Sequence, residues 1–233
     1  MFQFRSSWIV VIAAGLALTS IGCSPKPSHE AAGKPTDKNA AKRPANQDRA
    51  VVQPRREPPP PATIPKVNLS DELRAGCLVE VGDALPKGEL PDLADKTHSL
   101  ASLYGKNLTV VCFWTAASRR TQLEAADTLR SLTNDVAKPF VKKGVQVIGI
   151  EVARNFVNGA AWESIRETVS KLPFPCLTDG KGQYLGNVCK DDKMPRVFLL
   201  AAKGKILWFD VEYSRSTRED LVQGIRVALG ELK

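Results

Sequence analysis

Residues 110–121 read VVCFWTAASRRT and decide the fold of the chain. The run is apolar and rich in β-branched side chains as far as Trp114, where a short turn of small and polar residues begins. Apolar residues with helical spacing follow at once, so the stretch predicts a buried strand that leads into the N-terminus of a helix. Such a helix end stabilises a thiolate, but no cysteine stands at this junction. The question of function therefore depends mainly on the absence of a cysteine at this junction.

The first 22 residues are typical of an export signal. Arg5 precedes an apolar run from Trp8 to Leu18, which is too short to span a bilayer and fits the core of a signal peptide. Small residues before Cys23 resemble the lipobox of bacterial lipoproteins, a resemblance that implies a lipidated Cys23 and a membrane anchor. A plain secretory signal is the alternative. Both readings place the protein in the cell envelope or beyond it, where disulfides persist.

Residues 23–66 predict a disordered tether behind the lipidated cysteine. Ten of the sixteen prolines lie between positions 24 and 65, and the segment has almost no side chains to bury. Nine lysines and arginines stand against four acidic residues over 24–66, whereas the remainder, 67–233, carries a net charge of only +2. The net charge of +8 thus reflects mainly the tether, and the domain gives no support for a nucleic-acid partner.

Residues 67–233 predict one α/β domain, with a central mixed sheet flanked by helices and an N-terminal β-hairpin extension. Both faces of the strand over 108–114 are apolar, as in a strand covered on both sides. In chain order, the predicted elements are a short helix over 69–76, a hairpin around 95–96, strands over 108–114 and 145–152, helices from 118 and over 162–172, a short strand over 174–177, a hairpin of 197–200 and 206–211, and a closing helix from 216.

The helix after Ser118 shows a spacing of three or four residues between apolar positions. This spacing predicts one buried face, made of Leu123, Ala126, Leu129, Leu132 and Val136. Thr121 and Glu124 predict a capping box at its start. Ser118 itself fits an N-cap better than a nucleophile, because no His or Asp lies near it in sequence.

Four stretches together resemble the thioredoxin-like superfamily, in its branch of extracytoplasmic thiol-disulfide oxidoreductases and AhpC/TSA (TlpA-like, redoxin) proteins. They are the entry motif over 81–93, the strand that ends in Phe113-Trp114, the segment from Met194 to Leu200, and the turn over 204–206. The resemblance covers the domain from about Val79 to Leu232. It implies a thioredoxin-like fold, with a cis-proline at Pro195 that faces the active-site helix and helps to hold substrate backbone.

The same resemblance locates the active site. The family places Cys-x-x-Cys three residues after Phe-Trp, which puts Ser118 and Thr121 at the two cysteine positions. Thiol-disulfide exchange needs a thiolate and a resolving sulfur, and hydroxyl groups supply neither. The sequence Ser118-Arg119-Arg120-Thr121 therefore predicts a degenerate site without the redox activity of the family.

The domain region holds four other cysteines. Cys112 lies inside the central strand and fits a small buried hydrophobe. Cys176 and Cys189 flank a turn and are the first candidates for a disulfide, with Cys77–Cys189 as the next pairing. Cys189 also precedes the Pro195 loop, which leaves a relocated redox thiol open.

Other ligand sites have weak support. Arg119 and Arg120 in the first helical turn, with Arg196 after Pro195, form a candidate site for an anion or an acidic peptide, with three solvated charges as the alternative. The two histidines, His29 and His98, are far apart and no Cys-x-x-Cys pair exists, so we predict no metal and no cofactor.

Two functions follow from these observations. The first is an envelope-tethered, redox-inactive lipoprotein that binds or scaffolds a protein or peptide partner. The second is an enzyme, a thiol-disulfide oxidoreductase or peroxidase that uses a relocated cysteine: Cys189, Cys176 or Cys77.

Overall fold

The computed structural model describes residues 62–152 and 159–232. Its helices are α1 (Asp71–Ala75), α2 (Arg119–Leu132), α3 (Lys138–Phe140), α4 (Gly159–Ser170) and α5 (Arg215–Ala228). Its strands are β1 (Glu89–Pro91), β2 (Thr97–Ser99), β3 (Leu108–Trp114), β4 (Val145–Glu151), β5 (Cys176–Thr178), β6 (Arg196–Ala201) and β7 (Ile206–Val211). Single 3-10 turns occupy Leu100–Leu103, Val141–Lys143 and Leu185–Asn187, and a π-helical turn over Thr133–Ala137 follows α2. None of the helices in these two ranges has the length and apolarity needed to cross a bilayer.

Five strands form one mixed sheet in the order β5-β4-β3-β6-β7. The pairs β5/β4 and β4/β3 are parallel, whereas β6 pairs antiparallel with β3 and β7 pairs antiparallel with β6. All seven residues of β3 are buried, because the strand lies in the middle of the sheet with both faces covered. β1 and β2 make a separate two-stranded hairpin. The predicted fold class, a thioredoxin-like α/β domain with an N-terminal hairpin, is confirmed.

The two faces of the sheet carry different cores. Val110, Cys112 and Trp114 point to one face, where α2, α4 and α5 pack, and we call this the helix face. Val111 and Phe113 point to the other, which is covered by the chain over 79–100 and the turn at Leu185–Asn187, and we call this the N-terminal face. Because successive side chains of a strand point to opposite faces, the position of a residue along its strand decides whether it lies on the helix face or on the N-terminal face.

Two details of α2 differ from the prediction. The capping box joins Ser118 and Thr121, so Glu124 has no part in it. Leu123 is 68% exposed, whereas Leu129 and Leu132 are buried as expected. The buried face of α2 is rotated toward Ala125, and Leu123 borders an open groove instead of the core.

The chain before the domain makes two contacts of interest. Ile64 packs against the core of the helix face, and the carbonyl of Thr63 accepts a hydrogen bond from Gln223. The last residues of the predicted tether thus touch α5. The predicted signal peptide, Cys23 and most of the tether lie outside the described residues.

Candidate functional site

Ser118 and Thr121, the two positions where the resemblance drawn from the sequence expects cysteines, lie at the turn between β3 and α2. The Thr121 backbone N–H donates to the Ser118 hydroxyl at 3.2 Å, and the Ser118 backbone N–H donates to the Thr121 hydroxyl at 2.9 Å. The Thr121 hydroxyl donates in turn to the Ser118 carbonyl at 2.9 Å. Both side chains are therefore engaged in capping α2.

Another helix of the domain uses the same arrangement. At the start of α5 the Ser214 backbone N–H donates to the Thr217 hydroxyl at 2.8 Å, and Thr217 N–H donates to Ser214 at 3.4 Å. The two Ser-x-x-Thr boxes have the same pattern of bonds. Among the hydrogen bonds of residues 62–152 and 159–232, none joins the Ser118 hydroxyl to a histidine or carboxylate that could act as a base. The geometry fits helix capping and provides no activated nucleophile.

Pro195 faces this turn across a small depression. The peptide bond between Met194 and Pro195 is cis, the geometry that the resemblance implies. The depression is lined by Trp114, Thr115, Thr121, Glu124, Ala125, Met194 and Pro195. The structure therefore brings Pro195 to Thr121, as in a site that holds a substrate backbone.

The three arginines do not form one site. Arg119 and Arg120 lie in the first turn of α2, where the Arg120 Nε donates to Glu124 at 2.8 Å. Arg196 pairs with Phe113 in the sheet, so its side chain points to the N-terminal face, away from α2. It is 1% exposed and forms an ion pair with Asp191. The predicted anion site at Arg119, Arg120 and Arg196 is therefore wrong.

The predicted Cys176–Cys189 disulfide is also wrong. The Cys176 thiol lies against Gly149 in the core of the helix face, while Cys189 lies in the core of the N-terminal face. The sheet separates the two sulfurs, so no rotation of the side chains can join them.

Two of the buried thiols are chemically inert. Burial raises the pKa of Cys176 to about 12, and it raises the pKa of Cys112 further still. A thiol with such a pKa is protonated at neutral pH and is a poor nucleophile. The prediction of Cys112 as a small buried hydrophobe agrees with its place inside β3. Cys77 and Cys189 lie elsewhere, opposite each other on neighbouring segments.

An apolar groove runs between α2 and α4, and the sequence did not predict it. It has a volume of about 250 Å³ and ends at the turn that carries Ser118. Its lining includes Trp114, Ala116, Leu123, Ala126, Leu129 and Ile165, with Arg119 at one edge. No signal in the sequence pointed to it, because the helical spacing placed Leu123 on the buried face of α2.

Glu151, at the end of β4, is a second feature that the sequence did not single out. It is 1% exposed, and neither carboxylate oxygen has a hydrogen-bond partner within the described residues. Burial, with a smaller contribution from the charge of Asp179, raises its pKa to about 7. It pairs in register with Trp114, whose indole N–H is likewise without a partner in this part of the chain. The signal was one acidic residue within the apolar run from Val145 to Val152.

Metal binding has no visible basis in the part of the chain that the structure describes. There, no three His, Cys, Asp or Glu residues come together as a set of metal ligands.

Comparison with solved structures establishes the class of fold. The described domain resembles a Chlorobium tepidum protein described as a thiol:disulfide interchange protein, DsbE, with 23% identity and a TM-score of 0.51, over 65% of this chain and 99% of that one. It also resembles a protein from Bacteroides thetaiotaomicron described as a protein disulfide isomerase, with 18% identity and a TM-score of 0.55, over 67% and 94% of the two chains. At these identities the likeness establishes the thioredoxin-like fold.

A comparison with protein families identifies the branch. Residues 81–209 match the AhpC/TSA family, which is more than half of the chain. The protein therefore belongs to the AhpC/TSA family, and the resemblance drawn from the sequence is confirmed. A comparison with curated proteins gave no match.

Proposed function

We propose that this protein is an exported, envelope-tethered thioredoxin-like binding module that holds an extended polypeptide without thiol-disulfide exchange at the α2 site. The observation that carries this proposal is the mutual capping of Ser118 and Thr121. Ser118 and Thr121 stand at the start of α2, where the resemblance expects cysteines, but both side chains cap the helix. The surface around them, which includes cis-Pro195 and the groove, is still available to hold a polypeptide.

The binding surface has two neighbouring parts. Cis-Pro195 lies beside Thr121, where a strand-like segment can approach the backbone. The groove between α2 and α4 lies on the other side of the turn and exposes Leu123 beside Trp114. Its volume of about 250 Å³ accepts one or two apolar side chains. The partner that fits is therefore an extended peptide with an apolar side chain directed into the groove.

A pair of matched variants tests this surface. Peptides selected by the wild-type chain from a random library would be measured by fluorescence polarisation against Leu123→Asp and Val141→Asp. Both residues are large, apolar and exposed, at 68% and 56%, but only Leu123 borders the groove. We expect Leu123→Asp to weaken binding about tenfold or more, since it places a charge in an apolar contact. Equal binding by all three proteins would remove the groove from the proposal.

The absence of exchange at the α2 site is tested separately. In an insulin-reduction assay driven by dithiothreitol, a Cys77→Ser/Cys189→Ser chain, which keeps Ser118 and Thr121, should give the same rate as the buffer. A rate well above the buffer in this chain would contradict the proposal, whereas a wild-type rate that disappears in a Cys189→Ser variant would favour the enzyme with a relocated cysteine.

Attachment to a membrane rests on the sequence of the first 23 residues. We infer that the signal over 1–22 is removed and that Cys23 becomes the lipidated N-terminus, so that residues 23–66 span the distance from the membrane. Intact mass spectrometry of the mature protein tests this. The expected product begins at Cys23 with a diacylglycerol group, and a Cys23→Ser variant lacks it. A mature chain that begins elsewhere, without lipid, would point to a plain secretory signal.

The alternative function is thiol chemistry through a relocated cysteine. One observation favours it, namely that Cys77 and Cys189 face each other. Cys176 is a poor candidate, because its thiol is buried on the helix face with a pKa of about 12.

A further inference from the structure

Cys77 and Cys189, which are far apart in sequence, lie directly opposite each other in an antiparallel bridge. The bridge is fixed by two backbone hydrogen bonds, from Leu78 N–H to the Val188 carbonyl at 2.9 Å and from Lys190 N–H to the Gly76 carbonyl at 2.8 Å. These bonds flank the cysteines on both sides, so the two cysteines occupy a position without hydrogen bonds between them. In antiparallel pairing this is the position where side chains come closest.

This geometry suits a disulfide. Residues at such a position have Cα atoms about 4.5 Å apart, and disulfides span Cα separations of about 4.4 to 6.8 Å. Both side chains point to the same side and pack with the same core, that of the N-terminal face. Joining the sulfurs therefore requires rotation of the side chains and no change in the backbone pairing.

In the structure each sulfur is held by a backbone carbonyl. The Cys77 thiol donates to the Leu73 carbonyl at 3.4 Å, and the Cys189 thiol donates to the Asp191 carbonyl at 3.1 Å. Cys77 is partly exposed, whereas Cys189 is 1% exposed. An oxidant arriving from solvent therefore meets Cys77 first.

A buried arginine lies beside the pair. Arg196 Nη1 is 3.6 Å from the Cys77 sulfur, and Nη2 forms an ion pair with Asp191. The Nε group donates to the Lys193 carbonyl at 3.1 Å, which fixes the guanidinium in place. The Cys77 sulfur therefore lies beside a fixed positive charge. The side chain that does not join the predicted anion site contacts the thiol pair instead.

We propose that Cys77 and Cys189 form a reversible dithiol–disulfide site on the N-terminal face, in which Cys77 attacks and Cys189 resolves. It is a separate site from the groove and does not depend on peptide binding there. Its oxidant is a disulfide of another molecule, X–S–S–X. In its oxidised form the site ties the chain after α1 to the loop that leads into cis-Pro195.

The reaction balances in two exchanges. The Cys77 thiolate attacks one sulfur of X–S–S–X, so that the S–S bond breaks, one X–S⁻ leaves and Cys77–S–S–X forms. The Cys189 thiolate then attacks the Cys77 sulfur, which forms the Cys77–Cys189 bond and releases the second X–S⁻. The protons of the two cysteines pass to the two released thiolates. The protein loses two electrons and the oxidant gains two.

Tryptic mapping of the full chain tests the proposal. The protein would be equilibrated in buffers of oxidised and reduced glutathione, denatured, blocked with an alkylating agent and digested. Cys77 falls in the peptide over 75–87 and Cys189 in that over 182–190, while Cys112 and Cys176 fall in the peptides over 107–119 and 172–181. We expect the pair 75–87 and 182–190 to become the main linked species in excess oxidised glutathione and to separate again in reduced glutathione.

Single variants test the order of attack. In Cys189→Ser, Cys77 should hold glutathione as a stable mixed disulfide. In Cys77→Ser, the buried Cys189 should be modified about tenfold more slowly, because it is shielded from solvent. Cys176→Ala is the matched control, since it removes a buried thiol from the other face and should leave the linked pair unchanged.

Two results would overturn the proposal. The first is an oxidised wild-type chain in which peptides 75–87 and 182–190 are both alkylated and unlinked at equilibrium. The second is a link that forms equally with Cys112 or Cys176, which would indicate random exchange in an opened chain. Since the main measurement uses the wild-type protein, a variant that fails to fold does not affect it.

Discussion

The two faces of the sheet carry different pairs of side chains. On the helix face, Ser118 and Thr121 stand where the resemblance drawn from the sequence expects two cysteines, and they cap α2 and bond to each other. On the N-terminal face, Cys77 and Cys189 stand opposite each other beside a buried Arg196. The start of α2 thus has the helix N-terminus but no cysteines, whereas the N-terminal face has two neighbouring cysteines on paired extended segments and no helix N-terminus between them.

The comparison separates two things that a thiol site requires. A helix N-terminus supplies a field that favours a thiolate, and that field persists at α2 whatever residue stands there. A redox pair needs in addition two sulfurs within bonding reach, and a pair of strand segments provides this as well as a helical turn does. A domain can therefore keep the helix N-terminus that favours a thiolate without having cysteines there, and it can hold a pair of cysteines at a different place in the fold.

The largest expected effect comes from introducing two cysteines at the start of α2. A Ser118→Cys/Thr121→Cys chain should reduce insulin in the presence of dithiothreitol, with a rate about a thousandfold above the wild-type background, because a thiolate can attack where a hydroxyl cannot. Cis-Pro195 is already beside Thr121 and needs no change. The measurement is the initial rate of insulin precipitation.

The second capping box provides the control for that experiment. Ser214→Cys/Thr217→Cys places two cysteines with the same spacing at the start of α5, in the same bonding pattern but outside the depression that holds Pro195. We expect its rate to stay near background. Equal rates for the two double variants would mean that any helix start suffices and that the family surface at α2 is not retained.

Much of this architecture could be predicted from the sequence. The bounds of β3 followed from a run in which Thr109 is the one polar residue, as expected of a strand covered on both faces. Pro195 was located by the family resemblance of the segment from Met194 to Leu200, and Ser118 and Thr121 by counting from Phe113-Trp114. These are local features, in which spacing along the chain carries the information.

The errors share one physical cause, which is the face of the sheet. Arg196 was grouped with the α2 arginines because Pro195 lies near that helix, but pairing with Phe113 turns its side chain the other way. Cys176 and Cys189 are near in sequence and on opposite faces. A shift of one residue along a strand moves a side chain to the opposite face of the sheet. The local sequence pattern does not determine the register between strands that are distant in sequence. The prediction that Leu123 is buried was wrong for a different reason. The position of α4 leaves a groove beside this side of α2, and the sequence of α2 alone does not show this.

The N-terminal face allows a test by stability. Closing the Cys77–Cys189 bond creates a loop of about 110 residues, and the loss of entropy in the unfolded chain should raise the free energy of unfolding by about 5 kcal/mol. Urea denaturation of the oxidised and reduced wild-type chain measures this difference. Cys77→Ser should show no dependence on the redox buffer. An oxidised form as stable as the reduced form would indicate strain that offsets the entropy.

Glu151 provides a test by pH on the helix face. In the unfolded chain its carboxyl has an ordinary pKa near 4.5, whereas burial raises the pKa to about 7 in the fold. The folded protein therefore holds this proton more tightly, and the associated stability is present below pH 4.5 and is lost as the pH rises through 7. At pH 8, Glu151→Gln should raise the free energy of unfolding by about 3 kcal/mol, with little change near pH 4.5.

An exposed carboxylate serves as the control for this pH dependence. Glu163 lies on α4 and is exposed, so Glu163→Gln should change stability by less than about 0.5 kcal/mol at either pH. Denaturation of the three proteins at pH 5 and pH 8 is sufficient. A Glu151→Gln chain that is destabilised at pH 8 would mean that the carboxylate is ionised and satisfied there, against the raised pKa.

The smallest effect concerns the capping itself, and it decides whether the α2 site is more than a helix start. Ser118→Ala and Ser214→Ala each remove a hydroxyl that accepts a backbone N–H from the third residue of a helix. Each should lower the free energy of unfolding by about 1 kcal/mol. If Ser118 serves only as a cap, peptide binding in the groove should be the same in both variants. A loss of binding confined to Ser118→Ala would show that this hydroxyl also contacts the partner, and the family position would then retain a role in recognition after losing its redox chemistry.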